Sequence, residues 1–143
     1  MILYCDTSAL LKLYLQEEFS DNTIALAASA KAVAVCRIAW AETMSGLARR
    51  LRENPADEQV IEDCRTRFRQ DWMQLLIVEV NQDLLERAGD YADTFALRAY
   101  GSVQLAAARQ LQQEVSETVY FACFDKRLRQ AANILGMKTQ DSD

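Results

Sequence analysis

The residues best placed to do chemistry in this 143-residue chain are acids that follow apolar runs. Ile-Leu-Tyr-Cys leads into Asp6, and the hydroxyls of Thr7 and Ser8 come directly after it. Val-Tyr-Phe-Ala-Cys-Phe leads into Asp125, followed by Lys126 and Arg127. A third acid, Glu42, lies in RIAWAETMSGL shortly after another apolar run. Carboxylates without nitrogen or thiolate companions suit a hard, oxygen-loving cation, Mg²⁺ or Mn²⁺. Such an ion binds phosphates, activates a water for attack on a phosphodiester and offsets the charge that develops. Each acid also has a plainer reading. Asp6 can be a helix cap accepting a backbone N–H. Glu42, at roughly 100° per residue, falls about 200° from Trp40 and can be a solvated helix residue. Two acids at strand ends shift the balance towards a site, because carboxylates held close together call for a cation.

Composition removes competing chemistries. The chain has no histidine, which excludes Ser-His-Asp and Cys-His catalysis and His-ligated zinc. Cys5, Cys36, Cys64 and Cys123 stand apart with no CxxC pair. They read as small buried hydrophobes, and a reducing cytoplasm is the expected compartment. A formal charge of −5 argues against coating nucleic acid through global charge, though not against a local cation-assisted site. No run approaches the ~20 apolar residues of a membrane span, and no basic leader precedes a cleavage site.

The acids need elements to hold them. Segments 2–5, 32–36, 76–80 and 118–124 are almost continuously apolar, as strands covered on both faces are. A weak fifth strand is expected at 137–139, after Gly136. Helical patterns separate the strands: 7–14, 20–31, 38–53, a long run after Pro55, 82–96, 100–114 and 126–135. Trp40, Met44, Leu47 and Leu51 share one stripe; Val60, Ile61, Cys64, Phe68, Trp72 and Leu75 share another, for core or partner packing. The alternation predicts one α/β domain over residues 1–139, with a parallel four- or five-stranded sheet flanked by helices in three layers. Residues 140–143 are expected to fray. In such sheets, sites form beyond the carboxyl ends of the strands, where Asp6 and Asp125 are placed.

YCDTSALLKLY, the AWAET–GL helix, LRAYGSVQLAAA and VYFACFDKRL occur in this order over nearly the whole chain. As a set they resemble the PIN domain, in particular the VapC-type toxins of bacterial toxin–antitoxin modules. The resemblance implies a metal-dependent endoribonuclease acting on RNA, with Asp6, Glu42 and Asp125 as catalytic, metal-holding acids. Thr7 or Ser8 would hold a carboxylate, a water or a phosphate through its hydroxyl. It also implies a small antitoxin protein that docks by a helix and blocks the site.

Two positions depart from the family pattern. Gly101 stands where the family expects an aspartate of the metal cluster, and Gln104 where it often has a histidine. Glycine supplies no ligand, and the neighbouring Ser102 can at most orient a water, so weakened activity is expected. Lys12, Arg98, Lys126, Arg127 and Arg129 flank the acidic stretches and are candidates for steering RNA phosphates. Arg49, Arg50 and Arg52 read as an ordinary exposed face or an antitoxin rim. Two alternatives stand beside the nuclease. One is a catalytically silent PIN domain that binds RNA or an antitoxin. The other is a phosphoacceptor or phosphatase-like domain using Asp6, against which Ser8 counts because a second acid is expected there. The apolar faces around Trp40 and Trp72 leave a homodimer open.

Overall fold

A computed structural model describes residues 1–142. Alternation along the first strand decides how the layers form. In β1 (Ile2–Cys5), Ile2 and Tyr4 enter one hydrophobic cluster while Leu3 and Cys5 enter the other. All four are buried, so both faces of the strand are covered. β1 pairs in parallel with β2 (Ala32–Cys36) on one side and with β4 (Val119–Ala122) on the other. β3 (Leu76–Val78) adds in parallel beyond β2, giving the order β3-β2-β1-β4.

The helices follow the expected sequence: α1 (Thr7–Lys12), α2 (Ser20–Ser29), α3 (Ala39–Glu53), α4 (Glu58–Trp72), α5 (Gln82–Phe95), α6 (Ala99–Glu114) and α7 (Lys126–Ile134). One layer is built from α5, α6 and α7 against Tyr4 and Phe121, whose rings stack at 5.5 Å. The other is built from α1, α3 and α4 against Leu3, Cys5 and Val35. This is the three-layer α/β arrangement expected from the alternation. The segment between β3 and β4 carries the chain past β2 and β1, so the sheet reverses its winding beside β1.

Several boundaries differ from the sequence reading, each for a local reason. α1 stops at Lys12 because the amides of Leu13 and Tyr14 turn tightly onto the carbonyls of Leu10 and Leu11. The Tyr14 carbonyl then accepts from Arg67 and from the Cys64 thiol of α4. α2 ends at Ser29, two residues before Lys31 donates its amide to Met1 at 2.9 Å and enters the sheet. β3 ends at Val78, and Asn81 caps α5 by accepting from the Leu84 amide. The expected fifth strand is reduced to one parallel bridge between Tyr120 and Lys138. Thr139 ends it by bonding Asn133 and Ser142. Within the expected frayed tail, Asp141 pairs with Arg129 at 2.9 Å, and Asp143 lies outside the described residues.

The two tryptophan faces are consumed within the chain. Trp40, Phe68 and Trp72 pack as one aromatic cluster with centroids 5.2–5.4 Å apart. Both tryptophans are therefore spent mainly on packing within the chain. Val60, counted with that stripe, is instead 54% exposed, because the buried line of α4 runs Ile61, Cys64, Phe68, Trp72.

Candidate active site at the switch point of the sheet

Asp6 and Asp125 are brought together by strand pairing. The β1–β4 register places Cys5 beside Ala122, and the Asp6 amide extends that ladder by donating to the Ala122 carbonyl at 3.1 Å. Each acid follows its strand as the N-cap of the next helix. Asp6 accepts the Ala9 amide, and Asp125 the Leu128 amide, both at 2.9 Å. The capping and the site readings of Asp6 are thus compatible, because the carboxylate divides its oxygens. Oδ1 receives Ser8 Oγ at 2.7 Å as well as the Ala9 amide. Oδ2 has no donor among the described residues.

Glu42 is tied to the same corner. Its Oε1 accepts from Thr7 Oγ1 at 3.0 Å and from Gln104 Nε2 at 3.3 Å. The Gln104 amide is oriented from below by Tyr4, whose buried hydroxyl donates to Gln104 Oε1 at 2.6 Å. A chain of hydrogen bonds therefore runs from β1 through α6 to the first turn of α3. Sequence reasoning recorded Gln104 only as a departure. Its role needs Tyr4 and Glu42 to meet it, and residues 100 and 62 positions away leave no local signal.

Electrostatics mark Asp6 as the centre. Burial pushes its carboxyl up to about 6, and the charges of Glu42 and Asp125 push the same way against the Ser8 and Ala9 hydrogen bonds. The negative charge that gathers on Asp6 is one that a cation would relieve. The thiols behave differently. All four cysteines are buried and free, and burial raises Cys5, Cys36 and Cys123, so those three remain protonated packing groups.

The acids open onto a cleft of two lobes. One, of about 660 Å³, is lined by Asp6, Arg98, Tyr100, Gly101, Asp125 and Arg127, with Leu97 and Leu128 beneath. The other, of about 550 Å³, is lined by Thr7, Ser8, Glu42, Gly46 and Arg49 among others. Tyr100 borders both.

The donor chemistry suits a hard cation, since each of the three carboxylates offers one oxygen without a protein donor. Among the described residues, however, no three acidic, cysteine or histidine side chains form a group that could hold an ion. The fit is to an ion that keeps its waters and takes one or two carboxylates, as Mg²⁺ commonly does.

The family model described as PIN domain matches residues 3–134. The chain belongs to the PIN domain family. It is 28% identical over 137 residues to ribonucleases VapC45 and VapC49 of Mycobacterium tuberculosis, covering 96% of this chain and 93% of theirs. The resemblance to VapC-type PIN domains is therefore borne out. Solved structures share the fold. A toxin–antitoxin complex from Klebsiella pneumoniae aligns with a TM-score of 0.61 at 22% identity, covering 87% of each chain. VapBC2 of Rickettsia felis, bound to a DNA fragment from its promoter, aligns at 0.64 and 13% identity over 100% of both chains. FitAcB of Neisseria gonorrhoeae aligns at 0.64 and 17%, covering 97% of this chain and 96% of that one.

Set against the PIN pattern, the remaining candidates separate. Gly101 lies in the cleft wall, where a Cβ would meet only the Leu128 methyls at 3.8 Å. Ser102 is buried, and its hydroxyl donates to the Arg98 carbonyl at the start of its own helix at 2.8 Å. Lys12 is committed to Glu17 at 3.0 Å and sits 4.7 Å over the Phe124 ring. Arg129 is committed to Asp141. Arg98 and Arg127 do line the cleft, whereas Lys126 is exposed outside its lining. Arg49, read from sequence as part of an ordinary exposed face or an antitoxin rim, is exposed and lines the other lobe. No helix among the described residues is long and apolar enough to cross a membrane.

Proposed function

We propose that the protein is a divalent-metal-dependent endoribonuclease, the toxin of a toxin–antitoxin pair, with activity weakened by Gly101. The observation that carries this reading is buried Asp6, on which the charges of Glu42 and Asp125 both act, in a cleft that Arg98 and Arg127 also line. The likeness to two VapC ribonucleases supports RNA as the substrate. The toxin–antitoxin complexes among the structural relatives support a small protein partner, and the family supports a cytoplasmic setting.

Asp6 with Glu42 or Asp125 would hold one Mg²⁺ or Mn²⁺ that keeps several waters. When bound, the cation supplies an activated water and offsets charge developing on the phosphate. Thr7 and Gln104 keep Glu42 turned into the corner, and Ser8 with the Ala9 amide keeps Asp6 fixed. Arg98, Arg127 and Arg49 draw the RNA backbone along the cleft. Gly101 contributes no charge, so affinity for the cation is lower than a fourth acid would give.

The test is RNA cleavage against Mn²⁺ concentration, with calorimetry of metal binding alongside. Cleavage should rise with the metal, cease with chelator and be lost in Glu42→Gln. Metal binding without cleavage of any RNA would favour the second reading, a silent PIN domain, for which Gly101 and the loose acidic group speak.

A further inference from the structure

We propose that the lobe between Tyr100 and Asp125 is a nucleobase subsite, where a base of single-stranded RNA stacks on Tyr100 over the bare Cα of Gly101. This rests on the ribonuclease reading of the same cleft and adds what the lobe recognises. Two aromatic side chains are strongly exposed, Phe19 at 50% and Tyr100 at 63%. Phe19 is stacked on Phe124 at 5.5 Å. Tyr100 has no ring partner among the described residues, and it stands in the cleft beside the acids.

The lobe that Tyr100 lines carries apolar side chains beside its charged ones. Leu97 and Leu128 are among its lining, and beyond the adjoining residues and the helix backbone a Cβ at Gly101 would meet only two Leu128 methyl carbons at 3.8 Å. A volume of about 660 Å³ is ample for one nucleotide. Charge orders the contents. Asp6 and Asp125 in its lining repel a bare phosphate, whereas a neutral π face meets no such penalty beside the tyrosine and leucine side chains. Arg98, exposed and without a side-chain partner among the described residues, and Arg127, held by the Ala96 carbonyl at 3.0 Å, sit on the rim for the flanking phosphates. An aromatic wall between cations is how proteins hold splayed single-stranded bases. In this reading the glycine that removes an acid also makes room for the base.

The experiment titrates the full chain into single-stranded RNA carrying 2-aminopurine, whose fluorescence falls on stacking, with Ca²⁺ replacing Mg²⁺ to slow cleavage. Wild type and Tyr100→Phe should quench alike. Tyr100→Ala should lose the quench and bind roughly tenfold more weakly. Gly101→Val should lose the quench with the ring still present. Tyr100 is exposed, so melting curves should match across its variants and exclude misfolding. Equal quenching by wild type and Tyr100→Ala would overturn the subsite even if cleavage is intact. Quenching that depends on Tyr100 in a protein that never cleaves RNA would retire the nuclease reading and uphold the subsite.

Discussion

Asp6 shows how one side chain serves folding and chemistry together. Oδ1 closes the first turn of α1, and the other oxygen is left without a donor among the described residues. The arrangement is costly without a cation, because burial raises this carboxyl from 3.8 to about 6. Between those values the folded state binds more protons than the unfolded chain, so metal-free stability should fall as pH rises from about 4 to about 6. The accumulated loss at pH 7 is up to about 3 kcal/mol. Asp6→Asn keeps a cap and removes the charge. It should melt at higher temperature than wild type at pH 7 without metal, and should not at pH 4; equal melting at pH 7 would refute the account. Metal affinity should follow the opposite course and weaken below about pH 6, since the proton competes for the same carboxylate. Gly101→Asp tests the empty acidic position. Its Cβ has room, so the variant should fold normally and bind Mn²⁺ several-fold tighter in calorimetry. The same side chain would crowd the base lobe, so tighter metal binding should come with weaker stacking.

At the scale of elements, the site is a junction of three strand-to-helix turns fastened across the sheet. β1 supplies Asp6 and also Tyr4, which fixes Gln104 on α6, which in turn holds Glu42 on α3. Tyr4→Phe keeps the ring stacked on Phe121 but leaves Gln104 Oε1 buried without its donor. The expected cost is about 1–2 kcal/mol, read as a drop of roughly 3–8 °C in Tm. Metal affinity should fall too, because the amide no longer holds one orientation towards Glu42; unchanged affinity would show that Gln104 serves packing alone. The strands and most helices were legible because apolar runs and helical spacing are local properties. The premature end of α1 was not, since Cys64 and Arg67 of α4 take the Tyr14 carbonyl.

For the whole molecule, a formal charge of −5 must be reconciled with a polyanionic substrate. The cleft answers locally, with Arg49, Arg98 and Arg127 on its walls, while Lys12 and Arg129 are held by acids of the chain. If three arginines meet phosphates, log K against log salt should have a slope of roughly −2 for single-stranded RNA. Binding measured between 50 and 200 mM salt tests this on the order-of-magnitude scale of counterion release. A slope steeper than about −4 would mean that Lys126 or a further basic face also carries the RNA.

The sequence by itself determined the layered α/β fold, the placing of Asp6 and Asp125 after their strands, and membership of the PIN family. These rest on local apolar patterning and on motifs that keep their order along the chain. Only the tertiary structure decided that β4 lies beside β1 and so brings those acids together, since strand order depends on which distant segments pair. It also decided which basic residues remain at the cleft, that Ser102 turns to its own backbone, that Gln104 reaches Glu42 and that Tyr100 lines the cleft. Those outcomes depend on partners far away in sequence, whose positions no local pattern encodes.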